Sequence, residues 1–209
     1  MAANKKDPIT VYVEGRMVNG SLFEKDVYTD ARGREATSSY KIELSCTEEQ
    51  IAELEELVVN AAIDEWGDSA EKAYDDGHIR SPITDGNDIA AKRKEKGKAA
   101  DAYEGMWVVR ASTIFNKHGE DAPGSIYVCD ENAEEIGFAE REKIYNGCYV
   151  SANFTVSPYD VDGRGVKLYL NGVQFVKDGE RLRGKDPSSL FNPLGASASS
   201  EGEGRRRRG

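Results

Sequence analysis

The stretch CYVSANFTVSPYDVDGRGVKLYLNGVQFVK, residues 148–177, contains the two longest predicted strands of the chain. Apolar residues occupy every second position on both sides of DVDG at 160–163, a sequence typical of a hairpin loop. Successive residues of a strand point to opposite faces. The pattern therefore predicts two antiparallel strands, 148–159 and 165–177, that share one buried face and one outward face.

A bulge is predicted near the middle of the second strand. Asn171-Gly172 interrupts the alternation there, and a glycine inside a strand often marks a bulge or a bend. One extra residue reverses the alternation, so Val173 and Phe175 are expected to turn toward the core.

Shorter strands are predicted elsewhere in the chain. Alternating or apolar segments indicate strands over 9–18, 27–29, 40–45, 106–115 and 125–129. One helix among about seven strands favours a mainly β, small, partly open barrel over a sheet built from βαβ units.

One long acidic helix is predicted between the third and fourth strands. Thr47 and Gln50 form a capping-box pattern, and the two glutamates between them lie at the positive end of the helix dipole. Apolar residues then recur at helical spacing and predict a helix over 47–66 that ends near Gly67. These residues are Ile51, Leu54, Val58, Ala61, Ala62 and Trp66.

Two segments lack such a pattern. Residues 67–104 are polar and include Pro82 and several glycines, so a mobile insertion is expected, with or without a short helix. Residues 185–209 consist mainly of small, proline and charged residues and are expected to form a disordered tail. The predicted organisation is one domain over 1–184 and a tail over 185–209.

The composition excludes several classes of protein. The chain has 209 residues, enough to bury a core without metal or disulfide staples, and it has no apolar run of the roughly 18 residues that a membrane span needs. Residues 1–6 are polar with no apolar stretch behind them, so no secretory signal is expected. Three cysteines without a C-x-x-C pair favour a reducing compartment over a disulfide framework. With two histidines, neither a His-rich metal site nor a metal cofactor is expected.

The negative charge is confined to one part of the chain. The formal net charge is -10, which by itself argues against a nucleic-acid partner. Residues 47–76 alone sum to -10, so the rest of the chain is neutral and contains basic clusters at 92–98 and 205–208. The first cluster is either a solvated loop or a set of phosphate contacts, and the second is either a salt-sensitive arm or an inert terminus. The basic residues of the first cluster are Lys92, Arg93, Lys94, Lys96 and Lys98.

The outward face of the two long strands carries rings and cations. Tyr149, Tyr159 and Tyr169 share this face with Lys167, and Arg164 lies near the loop. Rings on which bases stack, together with cations that contact phosphates, are what a single-stranded nucleic acid needs. Tyrosine also stabilises sheets without any ligand, so the pattern alone leaves both interpretations open.

Arg110 and Trp107, in the strand over 106–115, are further candidates for this surface. Both faces of that strand are largely apolar, so Trp107 fits the core as well as a binding surface.

Several short motifs are similar to catalytic or metal sites but fail in context. GERLRGKD at 179–186 matches a phosphate-binding loop until Asp186, which replaces the hydroxyl that holds magnesium. Residues 160–163 begin like a calcium loop but lack its last glutamate. The acidic residues at 130–135 could hold a nuclease metal pair, yet a solvated turn accounts for them more simply. His118 has no nucleophile on a strand-to-helix turn near it, so no catalytic residue is expected.

Three runs of sequence carry a family resemblance: IYNGCYVSA at 144–152, YD at 159–160 with GV at 165–166, and LNGVQFVKDGE at 170–180. With these runs the chain resembles, over residues 37 to 183, the tailed-phage single-stranded DNA-binding proteins with an OB fold. The resemblance implies an OB-fold-like barrel that coats single-stranded DNA during phage replication or recombination.

The resemblance also implies a binding face and a setting. The residues implied on the face are Tyr149, Tyr159, Lys167 and Tyr169, with Arg110 beside them. The setting is the cytoplasm of the infected bacterial host, with single-stranded DNA and phage replication or recombination proteins as partners, no cofactor and no enzymatic activity. Many such proteins end in an acidic tail that recruits partners, whereas this chain ends in EGEGRRRRG, so that route is not implied.

Alternatives stay open at this point. The chain could be a metal-dependent phage nuclease or a β-rich structural module that does not bind DNA, and it could be a monomer or a dimer. The acidic helix is either a solvated amphipathic element or an internal mimic of DNA that occupies basic elements until a strand competes.

Overall fold

The computed structural model describes residues 8–29, 33, 35–113 and 126–182. The strands are β1 (Ile9–Thr29), β2 (Glu35–Cys46), β3 (Ile83–Asp85), β4 (Trp107–Ser112), β5 (Tyr127–Cys129), β6 (Tyr149–Asp160) and β7 (Arg164–Lys177). The helices are α1 (Glu48–Trp66), α2 (Ser69–Asp75), α3 (Gly86–Glu95) and a 3-10 helix (Phe138–Lys143). The predicted strand over 27–29 is the end of β1, and the strand predicted over 106–115 ends at Ser112.

Five of these strands form a barrel. β1 pairs antiparallel with β2 and β6, β2 pairs with β4, and β6 pairs with β7. β4 and β7 run parallel and close the ring. A five-stranded barrel with this mixture of meander and parallel closure is an OB-like fold, as predicted. Phe154, Leu44 and Leu168 fill its centre and are fully buried.

The barrel closes over a short distance. β4 and β7 pair only near the end of β4, where Ser112 lies beside Tyr169. Toward the start of both strands the segment 80–85 fills the gap: the Arg80 amide donates to the Arg164 carbonyl at 3.0 Å, and β3 pairs with β4. Further along, β5 takes the place of β4 beside β7. Strand edges that would otherwise expose unpaired amides are thereby satisfied.

β6 and β7 form the predicted hairpin. The turn lies at Asp162 and Gly163, whose φ angles of 56° and 108° are both positive. Even-numbered side chains of β6 from Val150 to Val156 are buried, and the odd-numbered ones between them are partly exposed. The alternation read from the sequence is therefore the alternation of the structure.

The predicted bulge is also present. The pairing of β7 with β6 skips one residue between Leu170 and Gly172, so Asn171 is the extra residue. After it, Val173 is buried and Phe175 packs against the core. The reversal that the bulge imposes therefore keeps the second half of β7 in the core.

α1 packs against β1, β6 and β7 and completes the main core. Thr47 accepts a hydrogen bond from the Gln50 amide while the Gln50 side chain accepts one from the Thr47 amide, which is the predicted capping box. The helix ends at Gly67, which has a φ of 83°. Its buried residues are Ile51, Leu54, Val58, Ala61 and Ala62. The glutamates of its first turns are exposed, and their role as a DNA mimic stays a prediction.

The segment 67–104 is folded, which corrects the expectation of a mobile insertion. It forms α2, β3 and α3, and it buries Ile79 and Ile83 in the main core. It also builds a second layer on the outer side of the barrel, a cluster made of Val18, Ala90, Ala100, Tyr103 and Val108. The polar composition concealed this, because a few apolar residues far apart in sequence anchor the whole segment.

Some predictions fall outside the described residues. They concern the loop at 116–124 with His118, the last residues of the motif at 179–186, and the tail with its arginines at 205–208. The domain limits 1–184 and 185–209 therefore stay predictions.

Candidate nucleic-acid interface

The outer face of β6 and β7 has the composition that the alternation predicts. Tyr149, Tyr159, Lys167 and Tyr169 are all partly exposed, whereas Leu168 between the last two is fully buried. The structure therefore brings these four residues to one face of the barrel.

Two exposed tyrosines that sequence reasoning missed belong to the same face. Tyr12 of β1 is 73% exposed and Tyr127 of β5 is 48% exposed. The register places them in one row, Tyr12–Asn153–Gly172–Tyr127, across adjacent strands. The residue next to Tyr127 in this row is Gly172, which has no side chain. The backbones of Tyr12 and Tyr127 are three strand spacings, about 14 Å, apart. The alternation around Tyr12 marked it as outward, but only the pairing shows which residues it faces.

The bulge residue Asn171 forms a polar patch with Asn153 and Thr155 between these rings. The side-chain amide of Asn171 donates to Asn153 Oδ1 and to Thr155 Oγ1, both at 2.8 Å. These hydrogen bonds hold the three polar side chains in place between the rings.

Tyr169 lies one row further along, paired with Thr155. The Lys167 ammonium is 5.0 Å from the Tyr169 ring centroid, within the range of a cation–π contact. Partial burial lowers the pKa of Lys167, because it removes water from the ammonium group. The sheet thus holds a cation against an exposed ring, and their contacts with DNA stay a prediction.

Tyr149 lies toward the other end of β6 and has a cation on each side. The register puts Arg16 of β1 next to it on one side and Lys177 of β7 on the other. The Lys177 ammonium is 4.7 Å from the Tyr149 ring centroid. This row is about 13 Å along the strand from the row of Tyr12. The rings are therefore distributed along the face and do not converge on one pocket, which suits a long polymer.

Tyr159 and Arg164 lie at the hairpin end of the face and have local partners. The Tyr159 ring lies over Gly165, where an added Cβ would overlap it. The Arg164 guanidinium is 5.6 Å from the Trp66 ring centroid, and its Nε is 3.6 Å from the Asp160 carboxylate. Contacts of these two residues with DNA stay a prediction.

β4 places Arg110 outward and Trp107 inward. Arg110 lies opposite Glu43 of β2, and its Nε is 3.1 Å from the Glu43 carboxylate. Trp107 is partly buried and packs against the main core, to which Val109 also belongs. Its place on the binding surface is therefore corrected: the alternation of β4 turns Trp107 inward, and α3 covers the outward Val108.

The basic cluster at 92–98 lies at the end of α3 and in the turn after it. Cations near a helix C-terminus interact favourably with the helix dipole. Lys94 pairs with Glu104, and the Arg93 guanidinium lies 4.7 Å from the Tyr103 ring centroid. The remaining members are exposed: Lys92, Lys96 and Lys98. The structure therefore separates Arg93 and Lys94, which contact neighbouring residues, from the other three cations.

A groove of about 1010 Å³ lies between the outer side of the barrel, the segment 98–103 and the segment 180–182. Its lining includes four cations: Arg16, Arg93, Lys98 and Arg181. They come from distant parts of the chain, so no local pattern in the sequence pointed to the groove.

The acidic residues at 130–135 form a turn. The Asp130 carboxylate accepts hydrogen bonds from the amides of Glu134 and Asn132 at 2.9 and 2.8 Å, and the bond from Glu134 is the main reason that its pKa is lowered. Across residues 8–113 and 126–182, apart from the undescribed 30–32 and 34, no three His, Cys, Asp or Glu residues form a group that could hold a metal ion. None of the helices that the structure describes is long and apolar enough to span a membrane.

The comparison with protein families identifies the family of this chain. The model of the family described as "Enterobacter phage Enc34, ssDNA-binding protein" matches residues 16–199. The chain belongs to this family. The Enc34 family match extends from β1 through β7, and it confirms the resemblance to phage single-stranded DNA-binding proteins.

Solved structures share the architecture of this Enc34-family chain. The single-stranded DNA-binding protein from bacteriophage Enc34, solved in complex with ssDNA, is 22% identical, with a TM-score of 0.55 over 86% of this chain and 91% of that chain. The gp2.5 protein, a single-stranded DNA-binding protein encoded by bacteriophage T7, is 14% identical, with a TM-score of 0.53 over 91% of this chain and 100% of that chain. At these identities the likeness shows a common fold.

One curated relative matches over a shorter stretch. The protein p50 of Acyrthosiphon pisum secondary endosymbiont phage 1 is 38% identical over 63 residues. The matched stretch is 30% of this chain and 34% of p50, so the chain matches about a third of that relative's length.

Proposed function

We propose that this Enc34-family protein binds single-stranded DNA without reading its sequence and coats it during phage replication or recombination. The observation that carries the proposal is the row Tyr12–Asn153–Gly172–Tyr127, which presents two exposed rings on the outer face of an OB-like barrel. The family's description as ssDNA-binding supports it.

The same face supplies both parts of the interaction. Bases stack on the rings of Tyr12, Tyr127, Tyr149 and Tyr169, for about 1–3 kcal/mol each, and every base has a face that can stack. Cations beside those rings contact the phosphates: Arg16, Lys167 and Lys177. Tyr159, Arg164 and Arg110 extend the surface at its margins. Affinity therefore depends on strand length and salt more than on base sequence.

Binding of this kind requires no bond to be broken. We expect no catalysis, no metal and no cofactor, and we expect the protein to act in the cytoplasm of the infected host, where phage DNA is replicated. Other phage replication or recombination proteins are the expected further partners.

A titration of a labelled oligo-dT by fluorescence anisotropy tests the proposal. With the full chain, EDTA and low salt, we expect saturable binding that weakens steeply with salt yet persists at moderate salt, because stacking is not screened. Oligo-dA and oligo-dC should bind within about tenfold of oligo-dT. No binding at low salt would overturn the proposal. Release of labelled fragments on addition of Mg²⁺ would favour the nuclease instead.

A further inference from the structure

We propose that the groove beside β1 and β2 binds the phosphodiester backbone of the same strand and extends the aromatic face past Arg16. This inference rests on the proposed function, because its ligand is the strand already stacked on the barrel. It adds a second, electrostatic segment of the site, with walls formed by two segments outside the barrel.

The first wall is the segment after α3. Tyr103 is 3% exposed and packs on Val18 and Val108, which point outward from the barrel. The Ser45 hydroxyl donates to the Ala102 carbonyl at 2.6 Å, which ties the same segment to β2. This wall is therefore fixed to the sheet by apolar packing and by a hydrogen bond.

The second wall is the segment that follows β7. The Leu182 amide donates to the Asn146 carbonyl at 2.8 Å, and Leu182 packs against the apolar cluster around Tyr103 and Val108 on the outer side of the barrel. The Arg16 guanidinium donates to the Glu180 carbonyl at 2.9 Å and to the Gly147 carbonyl at 3.3 Å. The chain is thus held across the outer side of the barrel, and the groove lies between it and the first wall.

Two arginines of the groove contact neighbouring rings, and one of them also donates to the backbone. Arg93 donates from Nε to the Ala99 carbonyl at 2.7 Å and lies over the Tyr103 ring. The Arg181 guanidinium is 3.8 Å from the Tyr145 ring centroid. A guanidinium has five N–H donors, so these contacts leave most of them for a phosphate.

The acidic residues of the lining do not cancel this charge. They are Glu43, Asp101 and Glu180. Glu43 is paired with Arg110, which does not line the groove. The four cations of the lining therefore face two other carboxylates, those of Asp101 and Glu180. In a protein whose net charge is -10, a local excess of cations is a specific feature of this surface.

The groove also contains an unsatisfied acceptor. Asn146 Oδ1 is the one buried side-chain polar atom that has no hydrogen-bond partner in the described part of the chain, and Asn146 lines the groove. Buried polar atoms normally have partners. The pairing of Arg16 with Tyr149 joins the groove to the aromatic face.

Two charge-matched double variants test the inference. K98Q/R181Q removes two exposed cations of the groove, whereas K92Q/K96Q removes two exposed lysines of the same basic cluster that do not line it. Both variants change the net charge equally. Each phosphate contact with a single strand contributes about 0.7 to the slope of log K against log salt. K98Q/R181Q should therefore reduce the steepness of that slope by about 1.4 and weaken oligo-dT binding about 25-fold at 0.1 M salt.

The control and a second readout separate the possible outcomes. K92Q/K96Q should change the slope by less than about 0.3, since those lysines do not line the groove. In the wild type, oligo-dT should protect Lys98 from acetylation, measured by mass spectrometry, and leave Lys92 and Lys96 reactive. Equal effects of the two double variants, or no protection of Lys98, would overturn the groove while wild-type binding upholds the proposed function. A wild type that does not bind oligo-dT would overturn both.

Discussion

Replacement of Tyr12 by alanine isolates the contribution of a single stacking ring. The side chain is 73% exposed in the free protein, so it contributes little to the core. Loss of one stacked base should weaken binding by about 1–3 kcal/mol, which corresponds to about 5- to 150-fold in affinity. An exposed substitution of this kind should change the free energy of unfolding by no more than about 0.5 kcal/mol, so the melting temperature should move by no more than about 2 °C.

The assay for Tyr12→Ala is the oligo-dT titration at several salt concentrations, with Tyr12→Phe as the matched control. Phenylalanine keeps the ring, so Tyr12→Phe should bind within about twofold of the wild type. The salt slope should be the same for all three proteins, because the ring carries no charge. Wild-type affinity in Tyr12→Ala, at an unchanged melting temperature, would refute the stacking row. An equal loss in Tyr12→Phe would mean that the hydroxyl makes the contact.

Four further outcomes are expected. Tyr149→Ala combined with Tyr169→Ala should weaken oligo-dT binding by about 30-fold or more with little change in melting temperature, and a large drop in that temperature would assign the rings to the core. Burial lowers the pKa of Lys167, so between its folded and unfolded pKa values the folded state binds fewer protons and stability rises with pH. Lys167→Met should raise the urea midpoint at pH 7 and lower the slope of log K against log salt by about 0.7. A lower urea midpoint would contradict this. Gly86→Ala places a Cβ against the backbone carbonyl oxygens of Tyr103 and Met106 and should lower the free energy of unfolding by about 1–3 kcal/mol in urea titrations. Unchanged stability would show that α3 is loosely held. Burial raises the pKa of Cys46 to about 12, so iodoacetamide at pH 8 should label it only in urea, as seen by mass spectrometry, and labelling of the folded protein would contradict its burial.

The insertion shows where reasoning from the sequence fails. Residues 67–104 contain no long apolar stripe, because their anchors are single residues such as Ile79, Ala90 and Tyr103. Each anchor completes a surface made by other parts of the chain. Periodicity describes one element at a time, so it predicted a mobile insertion for this segment.

Trp107 shows a related difficulty on β4. Arg110 turns outward to pair with Glu43, and Val108 also turns outward, where α3 covers it. Because the outward face of β4 includes an apolar residue, the alternation alone does not mark its orientation. Only the neighbouring strands and the helix outside them decide that Trp107 packs against the core.

The sequence by itself determined the elements whose information is local. Alternation over 148–177 defined the hairpin, Asn171-Gly172 the bulge, and the pattern that begins at Thr47 the helix and its cap. The same alternation identified Tyr149 and Tyr169 as outward residues. These features follow from the two-residue period of a strand and the 3.6-residue period of a helix, which need no distant partner.

The tertiary structure decided which outward residues share a surface. Tyr12 and Tyr127 are more than a hundred residues apart, and they share one row because β6 and β7 pair between them. Arg16 and Arg181 line one groove because the segment after β7 crosses the outer side of the barrel. Register and crossing depend on hydrogen bonds and packing between distant segments, and for that reason no periodicity within one segment specifies them.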